Sequence, residues 1–155
     1  MNRLLAIRFS EPRNRQMRKE LEQKMFERWP QWFNPKGDVR HTRMSFGFQH
    51  EDGWFDILWR LSGDLEPLAA EFEQTTGRHL EVLQVKEKVG GLRIQMNLAT
   101  DAIRQRLLAA QLESFLTCEV WGQPGQRRER GWIKTQCDEH AGAHNAQSSV
   151  ENYLA

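Results

Sequence analysis

The sequence predicts an α+β fold, in which helices pack on a small antiparallel sheet built around a central β-hairpin, and a C-terminal knuckle follows. Three observations lead to this prediction. Residues 54–76 carry apolar residues at helical spacing, residues 80–98 alternate between apolar and polar residues around two glycines, and residues 117–140 contain two cysteines and a histidine at short spacings. A chain of 155 residues that is 39% hydrophobic has the size and composition of one domain.

The segment 54–76 is the strongest helical pattern in the chain. Its apolar residues recur at steps of four and three and therefore share one side of a helix; they are Trp54, Leu58, Leu61, Leu65, Leu68 and Phe72. Asp52 is placed to cap the start of this helix, and Gly77 is a natural C-terminal stop. Ser62-Gly63 and Pro67 predict either a kink or two shorter helices joined there.

Residues 80–98 predict a β-hairpin that turns at Gly90-Gly91. This turn sets a register of four facing pairs, which are Val89 with Leu92, Glu87 with Ile94, Val85 with Met96, and Leu83 with Leu98. Seven of these eight side chains are apolar and share one face of the hairpin. Glu87 is the exception, and a carboxylate buried on that face needs a hydrogen-bond or ion partner.

Three further segments complete the predicted core. Residues 14–29 have helical spacing, residues 43–50 alternate as a strand, and Thr100-Asp101 caps a last helix over residues 102–116. A cluster of aromatic residues follows the first of these helices and consists of Trp29, Trp32 and Phe33. We interpret this cluster as a hydrophobic plug on the core, with a stacking platform for bases as the alternative.

We divide the chain into four segments by composition. Residues 1–40 are predicted to be a basic helical N-terminal arm, because they hold ten Lys and Arg residues against five Asp and Glu residues. Residues 41–117 form the α+β core, residues 118–141 the degenerate zinc-knuckle-like segment, and residues 142–155 a flexible tail. The arm would meet phosphates or an acidic protein surface, or else form a solvated helix face.

Nothing in the sequence indicates a membrane-bound or secreted protein. No apolar run approaches the roughly eighteen residues of a membrane span, and the short apolar patch near the N-terminus does not make a secretory signal. We therefore expect a cytoplasmic protein without a membrane partner. In that compartment the two cysteines are thiols or metal ligands rather than a disulfide.

The stretch TCEVWGQPGQRRERGWIKTQCDEH, residues 117–140, has the spacing of a zinc-ribbon-like knuckle with one ligand missing. Structural zinc sites use four ligands, often arranged as two pairs at short spacing. Cys118, Cys137 and His140 supply three candidates. Trp121 stands where the second cysteine of the first pair belongs, and its indole has no lone pair to offer a metal.

The missing ligand leaves two interpretations open. A fourth ligand would come from His144, from a carboxylate such as Glu139, or from water, as in catalytic zinc sites. Alternatively no metal binds, and Trp121 and Trp132 pack against each other across the loop, where two buried indoles contribute about a few kcal/mol. We favour the second interpretation, with two tryptophan rings holding the segment closed and no cofactor, and we keep zinc as the alternative.

Three stretches resemble a family of small uncharacterised proteins from bacteriophages, prophages and bacteria. They are EDGWFDILWRLSGDLEP, LQVKEKVGGLRI and the cysteine- and histidine-containing segment. Their counterparts in the family are a GWxxLL-type helix start, a VKEKFGGLRF-type hairpin and a CxxCGxPG…GW…LCDEH zinc knuckle. The resemblance covers residues 47–140. It implies a bacterial host cell and matches Cys118, Cys137 and His140 to metal-ligand positions. Trp121 and Val89 depart from the pattern of the family. The resemblance implies no particular activity.

Basic residues on the predicted hairpin and knuckle are candidates for binding. They are Lys86, Lys88, Arg93, Arg127, Arg128, Arg130 and Lys134. If they face one way, they form a track suited to phosphates or to an acidic protein. Interleaved acidic residues, among them Glu87 and Glu129, could instead neutralise this track, and the sequence pI of about 7.9 is low for a nucleic-acid-binding domain.

An enzymatic alternative rests on His50, Glu51, Asp52 and Asp56, which could hold a divalent ion for phosphodiester hydrolysis. Asp52 and Asp56 are more simply explained as helix-start residues, so we assign no catalytic residue.

We predict a non-enzymatic accessory protein of the phage or prophage type that binds a host or phage protein, as an inhibitor or modulator of a host system. A nucleic-acid-binding module and a metal-dependent nuclease are the alternatives.

Overall fold

The computed structural model describes residues 16–129 and 131–142. Within these ranges the helices and strands follow the order α1 (Lys19–Arg28), α2 (Phe55–Thr76), β1 (Val82–Lys88), β2 (Gly91–Met96), α3 (Asp101–Ser114), β3 (Gln126–Arg128) and β4 (Lys134–Gln136). Strands β1 and β2 form one antiparallel hairpin, and β3 and β4 form another. This architecture confirms the predicted α+β class. None of the helices in the described part of the chain is long and apolar enough to span a membrane.

The hydrophobic core draws on all three helices and on the first hairpin. Trp29, Trp32 and Phe33 are buried in this core, so the interpretation as a hydrophobic plug is confirmed and a base-stacking platform is wrong. The indole N–H of Trp29 donates to Glu66 of α2 over 2.6 Å, which satisfies the polar atom of a buried ring. Residues 1–15 of the predicted arm lie outside the described residues.

Helix α2 runs without interruption, so the alternative of two shorter helices is wrong. Its apolar stripe is buried as predicted at Trp54, Leu58, Leu61 and Leu65. Gly77 ends the helix in the left-handed conformation, at φ 66°. The predicted cap is wrong, because Asp52 opens a short 3₁₀ turn before α2 and its carboxylate accepts hydrogen bonds from the backbone and side chain of Arg18.

Helix α3 begins where the sequence predicts. The Thr100 hydroxyl accepts a hydrogen bond from the backbone N–H of Ile103 over 3.3 Å, which is the geometry of an N-terminal cap. Ile103 and Ala110 are buried on the side that packs toward the core. This confirms the cap.

The register of the first hairpin differs from the predicted one. Val85 pairs with Ile94 and Glu87 pairs with Leu92, so each residue meets a partner two positions away from the predicted partner. The turn is therefore Val89-Gly90 rather than Gly90-Gly91. Because side chains alternate with a period of two, a shift by two residues keeps the predicted faces where the ladder is regular, from Val85 to Lys88. A β-bulge between Val82 and Gln84 breaks the alternation, so Val82 is buried, and Val89 of the predicted apolar face is exposed in the turn.

The turn places two consecutive residues in the left-handed region, Val89 at φ 54° and Gly90 at φ 80°. This is the backbone of a type I′ turn, which matches the twist of a hairpin. Glycine adopts it freely, whereas a β-branched side chain resists it. Among the described residues Val89 is the single non-glycine residue with a positive φ, so the hairpin carries local strain at this position.

The predicted strand over residues 43–50 is wrong. Met44–Phe46 form a 3₁₀ turn, and Gly47 has a φ of 69° that breaks the extended path. The Glu22 carboxylate accepts a hydrogen bond from the backbone N–H of Phe48 over 2.9 Å and so takes the place of a strand partner. The one ladder contact that remains in this segment is an isolated parallel bridge between Gln49 and Lys86.

Val89→Asn should stabilise the protein by about 1 kcal/mol, because asparagine tolerates the left-handed region better than valine. For a chain of this length that change raises Tm by about 2–4 °C. Urea unfolding and thermal unfolding would measure it. Val39→Asn is a matched control, because Val39 is similarly exposed but outside the left-handed region. An unchanged midpoint in Val89→Asn would show that the turn is unstrained.

Candidate metal centre

The segment after α3 folds back on itself in two steps. The backbone N–H of Gly122 donates to the Cys118 carbonyl, and the N–H of Cys118 donates to the Gln123 carbonyl, which closes a tight turn. The hairpin of β3 and β4 then returns the chain beside this turn. A final helical turn begins at Cys137, whose carbonyl accepts from the N–H of Ala141 over 3.0 Å. These steps bring both ends of the segment together.

Three of the predicted ligands meet at this point. The Nδ1 atom of His140 lies 3.5 Å from Cys118 Sγ and 3.2 Å from Cys137 Sγ. All three donor atoms lie within 4.8 Å of one another, so the group could hold a metal ion. In a tetrahedral site with thiolates at about 2.3 Å and imidazole at about 2.0 Å, sulfur and nitrogen are about 3.5 Å apart. The observed separations therefore fit ligands that share one ion.

The two thiols differ in acidity. Desolvation raises the pKa of the Cys118 thiol, because burial penalises its thiolate. Desolvation acts in the same direction on Cys137, but the backbone N–H of His140 and the thiol of Cys118 donate to it and together hold the pKa of Cys137 below its ordinary value. Cys137 is therefore the thiol that reaches the metal-binding thiolate form more easily.

The predicted packing of two tryptophan rings is wrong. Trp132 is 66% exposed and Trp121 is 48% exposed, so neither ring is buried in the fold-back. Trp121 instead meets the imidazole of His140 edge to face, with ring centroids 4.8 Å apart. A hydrogen bond from the Trp121 side chain also helps to lower the pKa of Cys137. Trp121 thus borders the metal-ligand group without being able to supply a ligand.

The structure narrows the candidates for a fourth ligand. His144 lies outside the described residues. The exposed Glu139 is not part of the group formed by Cys118, Cys137 and His140. Within the described ranges the group therefore has three protein ligands, and a tetrahedral ion would complete its shell with water or another ligand.

A buried ion cluster holds this segment on the core. The Lys134 ammonium lies 2.9 Å from the Glu87 carboxylate and 3.1 Å from the Glu119 carboxylate, and all three side chains are at most 9% exposed. The need of Glu87 for a partner is thereby confirmed. The placement of Lys134 on a basic surface is wrong, because two buried carboxylates attract its charge inward.

Burial and neighbouring charges set the acidity of Glu119 in this cluster. Desolvation raises the pKa of Glu119, Lys134 acts against it, and the nearby carboxylates of Glu51 and Glu87 raise it further. One ammonium group thus compensates for several carboxylates. Backbone bonds add to this attachment, since the N–H of Glu119 donates to the Thr135 carbonyl and its own carbonyl accepts from the N–H of Gly53.

Of the other predicted basic residues, one has an acidic partner within the protein, and others lie on or beside the first hairpin. Arg128 donates to the Gln136 carbonyl and to the Asp138 carboxylate, and the carboxylate neutralises the charge of Arg128. Arg130 lies outside the described residues. Lys86 and Arg93 are direct partners across the first hairpin, with Lys88 two residues further along β1. Arg127 lies over the ring of Phe115 at 5.7 Å and packs on the hairpin turn at Gly90.

The residues considered for metal-dependent hydrolysis do not share one surface. His50 is fully buried and its Nδ1 atom lies 2.8 Å from the Glu51 carbonyl, whereas Asp56 is exposed. Burial lowers the pKa of His50 to about 4, so its imidazole is neutral at pH 7. The carboxylate of Asp52 is held by Arg18.

One feature was missed by the sequence reasoning. Leu108, Leu112 and Leu116 are 53%, 56% and 70% exposed, and their spacing of four residues places them on one side of α3 and its end. The spacing itself was visible in the sequence, but it is the same spacing that a core-facing stripe has. Only the position of α3 against α2 and β2 shows that this side has no neighbour in the described fold.

Lys134→Met should cost about 3–5 kcal/mol of folding stability, because two buried carboxylates would lose their cation. Adding Glu119→Gln to this variant should recover part of the loss. Chemical unfolding at pH 7 would measure both. Arg60→Met is the control, since it removes an exposed ion pair with Glu113 and should cost less than about 1 kcal/mol. Equal costs for the two single variants would contradict the anchoring role of Lys134.

Trp121→Cys should tighten metal binding at least about tenfold, because it adds a thiolate beside three existing ligands. Competition between the protein and a chelator for Co²⁺ or Zn²⁺ would measure the affinity. Trp132→Cys is the matched control, because it adds a thiol outside the ligand group, and Cys137→Ser should abolish one-to-one binding. Equal affinities for Trp121→Cys and the unaltered chain would mean that the turn holds position 121 too far away.

Comparisons with known proteins add no relative to this picture. No protein-family model, no curated protein and no solved structure matches the chain. The resemblance of its motifs to the phage and prophage family therefore stays a prediction. The case for a metal centre rests on the geometry of Cys118, Cys137 and His140.

Proposed function

We propose that the protein is a non-enzymatic accessory protein of the phage or prophage type that binds an acidic protein of its host. Binding uses the leucine–arginine surface, which we define as Leu108, Leu112, Leu116, Lys88 and Arg127. The observation that carries the proposal is the exposure of Leu108 and Leu112 on α3 and of Leu116 just after its end. The motif resemblance over residues 47–140 supports the accessory class, in which such binding would inhibit or modulate a host system.

The apolar part of this surface favours a protein partner. An exposed leucine gains about 1.5–3 kcal/mol when a partner removes it fully from water. Three such side chains in a row give a partner an apolar stripe about two helical turns long. Isolated surface leucines need no explanation, but a contiguous stripe on a small protein indicates an interaction site.

The charged part of the surface favours an acidic partner. Arg127 sits over Phe115, whose ring packs on Gly91, and Lys88 is paired with Gly91 across the hairpin. Arg127 thus lies on the ring of Phe115, the residue before Leu116, and Lys88 lies on the strand position opposite Gly91, on which that ring packs. Glu113, the acidic residue between Leu112 and Leu116, is already engaged by Arg60. Charge complementarity with Lys88 and Arg127 therefore favours a partner with carboxylates.

The same features argue against nucleic acid as the main partner. Leucine side chains offer no flat face on which a base can stack. The aromatic ring nearest to the cations, that of Phe115, is already covered on one side by Arg127. The net charge of the whole chain is only +1, which gives little of the electrostatic attraction that phosphate binding uses.

We also propose that Zn²⁺ occupies the candidate metal centre and has a structural role. Thiolate and imidazole are the ligands that zinc prefers in proteins, and Cys118, Cys137 and His140 supply both. An ion there would link Cys118, which follows α3, to Cys137 and His140, which follow β4. It would thereby fix Arg127 of β3 relative to Leu116, whose carbonyl accepts a hydrogen bond from the N–H of Gly125.

The surface can be tested by comparing variants of the full chain as bait in nuclease-treated bacterial extract. Leu112→Ser combined with Leu116→Ser, and separately Arg127→Glu, should each lower the affinity for the captured protein at least about tenfold. Val39→Ser is the control, because it removes a similarly exposed apolar side chain elsewhere.

Two results would contradict the proposal. One is capture of the same protein, with the same affinity, by the double leucine variant. The other is a chain that binds DNA or RNA with an affinity that falls steeply with salt and does not depend on the leucines.

A further inference from the structure

A cleft between the C-terminal end of α2, strand β2 and the first half of α3 is separate from both the metal centre and the leucine–arginine surface. We call it the α2–α3 cleft, and its volume is about 520 Å³. We propose that the α2–α3 cleft binds a small anionic amphiphile, a molecule with a hydrocarbon tail and a carboxylate head. Sites for small molecules have volumes of about 300–1,000 Å³, so the size is suitable.

Ten residues line the cleft, and four of them are polar: Arg78, Gln95, Asn97 and Arg104. The apolar part of its lining is a partly open floor. It is formed by six side chains that pack against the core on one side and stay half-exposed on the other: Phe72, Ile94, Met96, Leu98, Ala99 and Leu107. They come from α2, from β2 and the residues after it, and from α3, so three elements converge on one apolar surface. A hydrocarbon tail laid on this floor would remove these side chains from water.

Two arginines at the edge of the cleft specify the charge of the ligand. Arg78 follows α2 and Arg104 belongs to the first turn of α3, and both line the cleft. A guanidinium group recognises a carboxylate through two parallel hydrogen bonds. An apolar floor with two guanidinium groups beside it therefore fits an anion with a tail better than a neutral or cationic molecule.

The acidic groups near these arginines are already engaged. Arg104 donates to Asp101 over 2.8 Å in an ion pair whose members are 64% and 94% exposed, so water screens it and a ligand carboxylate can replace it. On the α2 side, Glu73 lies 3.1 Å from the Nδ1 atom of His79. A ligand carboxylate would therefore displace the exposed Asp101 from Arg104.

The cleft can be tested with sodium decanoate and the full chain, by isothermal titration calorimetry below the micelle concentration of the probe. We expect one decanoate per chain, and binding about fifteenfold weaker for octanoate, because each of the two CH₂ groups removed weakens binding about fourfold. Decylammonium, which has the same tail and the opposite charge, should bind at least about tenfold more weakly than decanoate.

Variants distinguish the cleft from other sites. Arg78→Gln and Arg104→Gln should each weaken decanoate binding about tenfold. Arg106→Gln is the matched control, because Arg106 is an exposed arginine of α3 that does not line the cleft. Circular dichroism would show that the variants fold, and the comparison of chain lengths tests the apolar floor in the unaltered protein.

Three outcomes would overturn the proposal: no decanoate binding, equal binding of decylammonium, or equal effects of the Arg106 and Arg104 variants. Because Leu112 and Leu116 lie outside the cleft, the double leucine variant should bind decanoate normally. The decanoate experiment thus tests the cleft alone, and its result does not depend on whether the protein binds a host protein.

Discussion

The attraction between the Lys134 ammonium and the carboxylates of Glu87 and Glu119 is the interaction on which the C-terminal half of the structure depends. It joins three parts of the chain: the end of β1, the turn that carries Cys118, and the start of β4. Buried charges without partners are costly, so these parts have few alternative arrangements. The positions of the two thiols follow from this constraint, because Cys118 precedes Glu119 directly and Cys137 comes three residues after Lys134.

The parts of the fold that could be predicted from the sequence are those set by local patterns. The stripe of α2, the Gly77 stop and the Thr100 cap depend on residues within a few positions of one another. The register of the first hairpin could not be predicted, because Val89 is held at a positive φ in a turn on which Arg127 and Thr135 pack from far along the chain. Likewise, Glu22 replaces the strand partner of Phe48 from 26 residues away.

The sequence was sufficient to predict the three ligand candidates of the site, but not the contacts of the residues around them. The spacing was sufficient to find Cys118, Cys137 and His140, because the short pair Cys137-x-x-His140 and the cysteine before a tight Gly-x-Pro-Gly turn are typical of structural zinc sites. The role of Trp121 was not predictable, since a sequence does not show whether a ring covers a neighbouring ring or a histidine. The charge of Lys134 indicated a surface residue, and only its two distant acidic partners explain its burial.

The contact between Gly53 and the turn at Cys118 has a consequence for the order of assembly. The Gly53 N–H donates to the Glu119 carbonyl, and a side chain at Gly53 would collide with the Cys118 carbonyl oxygen. This contact closes a long loop, which costs more chain entropy than any local turn. We therefore expect that the core folds first and that the C-terminal fold-back docks afterwards. A metal ion would then bind after the core has folded. In a small zinc finger, by contrast, folding itself depends on the ion.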